Sequence, residues 1–237
     1  MSPHADPRLI VALDLPTRAK AEALVERLGD AVCFYKIGLQ LLASDGMGLA
    51  RELKAGGKHV FLDWKLHDIG ATVERAAAAI AETGVGDLLT VHAEPQVLAS
   101  AVKGAGGSGL RILGVTVLTS LSAADLREIG YELSPRELVE RRVRQAADAG
   151  AAGVVASPHE ASLARRIGGP GFLAVTPGVR PAGSAPDDQA RVATPEFALA
   201  EGATHLVVGR PVTGAPHPRA AAEAIVREMA SAAARAA

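Results

Sequence analysis

"HVFLDWKLHDIGATVERAAAAIAETGVGDLLTVHA", residues 59–93, is the stretch on which the fold turns. It opens with a short apolar run (59–66), passes through an Ala-rich segment of helical composition (71–83), and closes on a second apolar run (87–93). A strand, a helix and a strand in that order describe a parallel pair, because parallel neighbours need a crossover connection. The same alternation extends in both directions. Upstream lie "LIVALDL" (9–15) and "VCFYKIGL" (32–39); downstream lie "LRILGVTVL" (110–118), "AGVVAS" (152–157), "FLAVTPG" (172–178) and "THLVVGR" (204–210). Helical segments are expected at 17–28, 46–55, 71–83, 94–103, 134–149, 159–167, 195–201 and 217–234. Eight β–α units in 237 residues predict one α/β domain, residues 1–237, closed as a (β/α)8 TIM barrel.

Composition narrows the class of function. Apolar residues make up 49% of the chain and charged residues 22%, enough for a sizeable core. Aromatics are only 3%, so that core rests on Ala, Val, Leu and Ile. The net charge of −1 and the lack of a dense basic block argue against a nucleic-acid partner. No apolar run approaches membrane-spanning length, and "MSPHADPRLIVALDLP" lacks a basic region followed by a sustained apolar stretch. The expectation is a cytoplasmic protein without a membrane partner. Cys33 is the sole cysteine, which excludes an intrachain disulfide and a cysteine-cluster metal site; it reads as a core residue. No Gly-x-Gly-x-x-Gly fingerprint follows the first strand, so a dinucleotide site is not indicated.

Active sites of such barrels lie at the C-terminal ends of the strands. Polar residues gather there: Asp14, Lys36, Asp63, Lys65, His92, Thr116, Thr119, Ser157, Thr176 and Arg210. The third strand is the most heavily charged, with Asp63, Lys65, His67 and Asp68 inside six positions. Side chains alternate faces along a strand, so Asp63 and Lys65 share one face and Leu62, Trp64 and Leu66 the other. With the apolar set on the helices, Asp63 and Lys65 point to the barrel axis, where Lys36 of the neighbouring strand also reaches. Asp68 lies past the expected strand end, and parity does not set its direction. Burying unpaired charge is costly, and alternating signs make such a cluster tolerable. An ion-pair network that only closes the barrel would confer little net stability. A hydrogen-bonded structural role is the simpler reading for His67 and His92.

The segment Asp63-Trp64-Lys65-Leu66-His67-Asp68-Ile69 resembles the Asp-x-Lys-x-x-Asp signature of the bacterial orotidine 5′-monophosphate decarboxylases. The resemblance runs through nearly the whole chain, in "ALD" (12–14), "YKIG" (35–38), "VTVLTS" (115–120), "TPGVRP" (176–181), "DDQAR" (187–191) and "VVGRPVT" (207–213). One departure follows Ile69, where Gly70-Ala71 replaces the usual Pro-Asn and predicts a freer loop before Thr72.

The resemblance implies decarboxylation of orotidine 5′-monophosphate (OMP) to uridine 5′-monophosphate (UMP) without metal or organic cofactor. It implies Lys65 as proton donor, Asp63 and Asp68 holding it, and Lys36 completing the array. Asp14 and Lys36 would hold the ribose hydroxyls, and Thr119, with Ser122 a further candidate, the pyrimidine. Arg180, Gly209 and Arg210 would take the phosphate, and Gln189 would come from a lid in "PAGSAPDDQ". It further implies a homodimer in which Asp68 and Thr72 enter the neighbouring site. The rival within the superfamily is a Mg2+-dependent sugar-phosphate decarboxylase or synthase, against which the "VLTS" and "TPGVRP" segments weigh. A Schiff-base aldolase is a second rival, but an ammonium clamped between carboxylates is a poor amine nucleophile. A barrel without activity is a third, and it would not keep the complete charged array.

Overall fold

Each apolar run becomes a strand. The computed structural model describes residues 5–181 and 193–236. Its strands are β1 (Leu9–Ala12), β2 (Phe34–Gly38), β3 (His59–Leu66), β4 (Leu88–His92), β5 (Arg111–Val115), β6 (Gly153–Val155), β7 (Leu173–Thr176) and β8 (His205–Val208). All neighbours pair in parallel, in sequence order, and β8 returns to β1 to close the barrel. The predicted (β/α)8 architecture is the observed one.

The helices are α1 (Arg18–Leu28), α2 (Leu39–Leu42), α3 (Gly46–Ala55), α4 (Gly70–Glu82), α5 (Pro95–Ala105), α6 (Ala123–Glu128), α7 (Pro135–Asp148), α8 (Ala161–Gly168), α9 (Pro195–Ala200), α10 (Arg210–Thr213) and α11 (Pro218–Ala236). The eight expected helices are α1, α3, α4, α5, α7, α8, α9 and α11. The three unexpected ones, α2, α6 and α10, have four to six residues, too few to show a periodicity. Local chemistry sets several starts. Ser134 and Glu137 form a capping box on α7, with Pro135 in the first turn, and Thr194 caps α9 just ahead of Pro195.

Strand parity divides the core in two. Ile10, Ala12, Phe34, Phe61, Leu88, Leu113, Val175 and Val207 form one buried cluster inside the barrel. The alternate residues, among them Val11, Tyr35, Ile37, Val60, Leu62 and Leu89, pack outward with the helices. Two phenylalanines on adjacent strands thus fill the lower barrel that small aliphatics would leave loose, each contributing about 2–3 kcal/mol by burial. Cys33, expected in the core, is half-buried instead, just before β2.

The predicted loop at Gly70-Ala71 is also different. Both residues belong to the first turn of α4, and Gly70 is buried. A Cβ there would sit 2.7 Å from Ser100 Oγ on α5. The glycine serves close packing of α4 on α5 rather than loop freedom.

Candidate active site

The parity that fills the barrel interior continues to its mouth. On β1 the inward Ile10 and Ala12 are followed by Asp14; on β2, Phe34 by Lys36; on β3, Phe61 by Asp63; on β4, Leu88 by Thr90. The apolar interior therefore ends in a polar floor. Lys36 is only 7% exposed and Thr90 is fully buried. Lys36 Nζ lies 3.0 Å from Asp14 Oδ1 and 3.4 Å from Asp63 Oδ2. Lys65 Nζ lies 2.8 Å from Asp63 Oδ1, and Thr90 Oγ1 donates to the same oxygen at 2.9 Å. The chain of charges reads Asp14, Lys36, Asp63, Lys65, with signs alternating. Burial pushes the Asp63 carboxyl up. The ammonium groups of Lys36 and Lys65, with the hydrogen bonds from Lys65 and Thr90, more than offset this and hold it below the ordinary value.

Asp63 and Lys65 do converge, as parity requires, but not on a regular strand. Leu62 pairs with Leu89 and Leu66 with Val91, so residues 63–65 of β3 all lie opposite Thr90. Lys65 takes a positive φ of 49°, one of two non-glycine residues to do so among the described residues. Trp64 and Leu66 turn outward against the helix-facing core, as expected.

Above this floor opens a cleft of about 580 Å3, lined by Asp14, Lys36, Asp63, Lys65, Arg180, Gly209 and Arg210, together with Gly38, Gln40, Pro177 and Thr213. A smaller chamber of about 160 Å3 adjoins it, sharing Lys36, Asp63 and Lys65 and lined on its far side by Val115, Val117 and Thr119. One end of the combined space is cationic and solvent-facing, with Arg210 exposed and Arg180 buried; the other is apolar.

Asp68 and Thr72 do not line either space. Asp68 is exposed and accepts a hydrogen bond from the Ile69 N–H, while Thr72 is half-buried in the first turn of α4. Gln189 lies outside the described residues. Ser122 is the N-cap of α6, in a capping box with Asp125. Thr116 and Thr176, flagged at strand ends, donate to the carbonyls of Val155 and His205, and Ser157 accepts from the His159 N–H. These three are backbone ties. His67 and His92 stack with ring centroids 4.8 Å apart, beside Glu94, which also takes Arg142 Nη2 at 2.8 Å. Thr90 was not anticipated; its only signal was a polar residue at an inward position, between Leu89 and Val91 in the middle of β4.

Among the described residues, no three His, Cys, Asp or Glu side chains come together as a metal site would need, and no helix is long and apolar enough to cross a membrane. Residues 7–225 match the model of the orotidine 5′-phosphate decarboxylase / HUMPS family. The chain belongs to this family. Within it, the chain is 68% identical over 230 residues to an orotidine 5′-phosphate decarboxylase of Caulobacter vibrioides, covering 95% of this chain and 98% of that one. It is 56% identical over 226 residues to the one from Rhodopseudomonas palustris, covering 95% of this chain and 96% of that one. The crystal structure of the Lactobacillus acidophilus orotidine 5′-phosphate decarboxylase superposes with a TM-score of 0.82 at 39% identity, covering 94% of this chain and 99% of that one.

Proposed function

We infer that the chain is a carboxy-lyase that converts OMP to UMP and CO2, the last step of de novo UMP synthesis, working as a single barrel domain with Lys65 as proton donor. The observation that carries the reading is the alternating Asp14–Lys36–Asp63–Lys65 array on the cleft floor. Cleavage of the bond between C6 and the carboxylate leaves its electron pair on C6, in the ring plane, where the π-system cannot take it up. An ammonium fixed beforehand stabilises that charge without reorganising and then gives its proton to C6. Lys65, tied to Asp63 at 2.8 Å, is such a group. The neutral amine regains its proton from solvent, and the cycle closes without metal or organic cofactor.

The other parts of the substrate have partners of matching chemistry. Asp14 and Lys36 suit the ribose hydroxyls, an acceptor and a donor beside the array. Thr119 lines the chamber into which the pyrimidine would extend. Arg180, Gly209 and Arg210 lie together after β7 and β8 and suit a phosphate dianion. Gln189 joins the phosphate contacts in this reading. Remote phosphate binding can be used to align C6 over Lys65 and lower the barrier.

Asp68 and Thr72 are assigned to the neighbouring subunit's site in a homodimer. Support comes from their position away from their own cleft and from Ile69 between them, an apolar side chain 69% exposed. Enzyme assembled from Lys65→Ala and Asp68→Ala chains, each inactive alone, should regain activity in the heterodimer; none regained would remove the shared site.

The central experiment follows OMP absorbance with wild type, Lys65→Ala and EDTA-treated enzyme. Wild type should turn over before and after chelation, and Lys65→Ala should lose at least about a thousandfold. No turnover by wild type would defeat the reading, and turnover abolished by EDTA would favour the Mg2+-dependent relatives.

A further inference from the structure

Lysine seldom occupies the left-handed region, because its Cβ crowds the backbone there, and a residue held in it needs a restraint from its surroundings. Lys65 is held there at φ 49°, on a strand whose pairing to β4 slips by two residues. The slip removes the ladder partner that the Lys65 N–H would have in a regular parallel pair. In its place the N–H donates to Thr90 Oγ1 at 3.0 Å, and the same hydroxyl donates its proton to Asp63 Oδ1 at 2.9 Å. A hydroxyl offers one donor and two acceptors, so both bonds form at once. Thr90 is wholly buried, open to neither solvent nor cleft. No water is needed to satisfy either partner. One oxygen atom thus ties the backbone of one charged residue to the carboxylate of the other.

We propose that Thr90 is a positioning residue for the decarboxylation: its hydroxyl holds Lys65 in the left-handed conformation and aims Asp63, setting the ammonium before substrate arrives. This rests on the assignment of Lys65 as proton donor. Thr90 touches neither cleft contents nor the reacting atoms, so its effect runs entirely through Lys65 and Asp63. Valine in its place would keep the volume, leave the Lys65 N–H unpaired in a buried site, and free the carboxylate to rotate. The bulge would then relax toward ordinary strand geometry and draw the ammonium off C6.

The test compares Thr90→Val, Thr90→Ser and Thr90→Cys in single-turnover decarboxylation of OMP, with KM and thermal unfolding measured alongside. Thr90→Val should slow the chemical step by about 10- to 100-fold, the worth of a hydrogen bond to a charged group, with KM changing much less. Thr90→Ser should recover most of the rate. Thr90→Cys keeps a small side chain with only a weak donor; it should follow Thr90→Val, and it serves if the valine variant does not fold. A rate within about twofold of wild type in Thr90→Val, or an equal loss in Thr90→Ser, overturns the proposal. A crystal structure of Thr90→Val or Thr90→Cys judges the hold independently of activity. Lys65 still at positive φ and paired to Asp63 would overturn it, whereas absence of turnover in wild type would instead defeat the assignment of function.

Discussion

Gly38 ends β2 in an extended conformation, φ −92° and ψ −176°, that alanine adopts without strain. Yet a Cβ at this position would lie 2.7 Å from Asp14 Oδ1 and 2.9 Å from Lys36 Nζ, where ordinary contact begins near 3.4 Å. Gly38→Ala therefore drives a methyl group against both ends of the 3.0 Å Asp14–Lys36 pair. Both neighbours are tips of flexible side chains, so they can withdraw by half an ångström or more while the backbone stays. The cost to folding should be small, about 1 kcal/mol or less, since alanine also narrows the unfolded ensemble. For a chain of this size that is a change in Tm of about 2–4 °C at most. The site has no such tolerance. Lys36 also lies 3.4 Å from Asp63, so its displacement is felt along the whole array. Misplacement on the ångström scale costs about a hundredfold in rate. The expected result is kcat/KM for OMP down by about 100-fold with a nearly unchanged melting curve. Two outcomes would refute the reasoning: kcat/KM within about threefold of wild type, or a Tm lowered by more than about 8 °C, which would mean that the backbone had moved.

Gly104→Ala should do the opposite, because its Cβ would fall 2.2 Å from the backbone carbonyl oxygen of Glu74 and force α4 and α5 apart. A loss of about 1–3 kcal/mol in urea unfolding is expected, with kcat of the folded enzyme retained; equal stability would show that the helices slide freely. His205 supplies a pH dependence: burial first, then the nearby Arg111, lowers its pKa to about 4, against an opposing pull from Asp6. Its folded-state pKa is below the unfolded value, so the unfolded chain binds the proton more readily, and stability is lost as pH falls from about 6.5 toward 4. The loss attributable to this residue is about 3 kcal/mol at pH 4 and absent above pH 7. Between pH 7 and 4.5 the urea midpoint of wild type should therefore fall further than that of His205→Gln, shifting the difference between them in the variant's favour; parallel curves would place the acid sensitivity elsewhere.

The fold was legible because its signals are local. Eight apolar runs separated by helical segments need no knowledge of distant contacts, and period-two alternation put Asp63 and Lys65 on the inward face before any neighbour was known. Local pattern failed where a residue answers to something far away in sequence. Thr116, Thr176 and Ser157 stand at strand ends as the site residues do, and only their backbone partners separate them from the site. Gly70 suggested a loose loop, and Ser100, thirty positions away, makes it a packing contact. The sequence by itself determined the barrel, the charge pattern at its mouth and the family signature. Only the tertiary structure decided that β3 bulges, that Lys65 turns left-handed, and that Thr90 from the next strand holds both it and Asp63. The physical reason is that inward or outward facing repeats along one strand, whereas register and a shared hydrogen bond exist only between two.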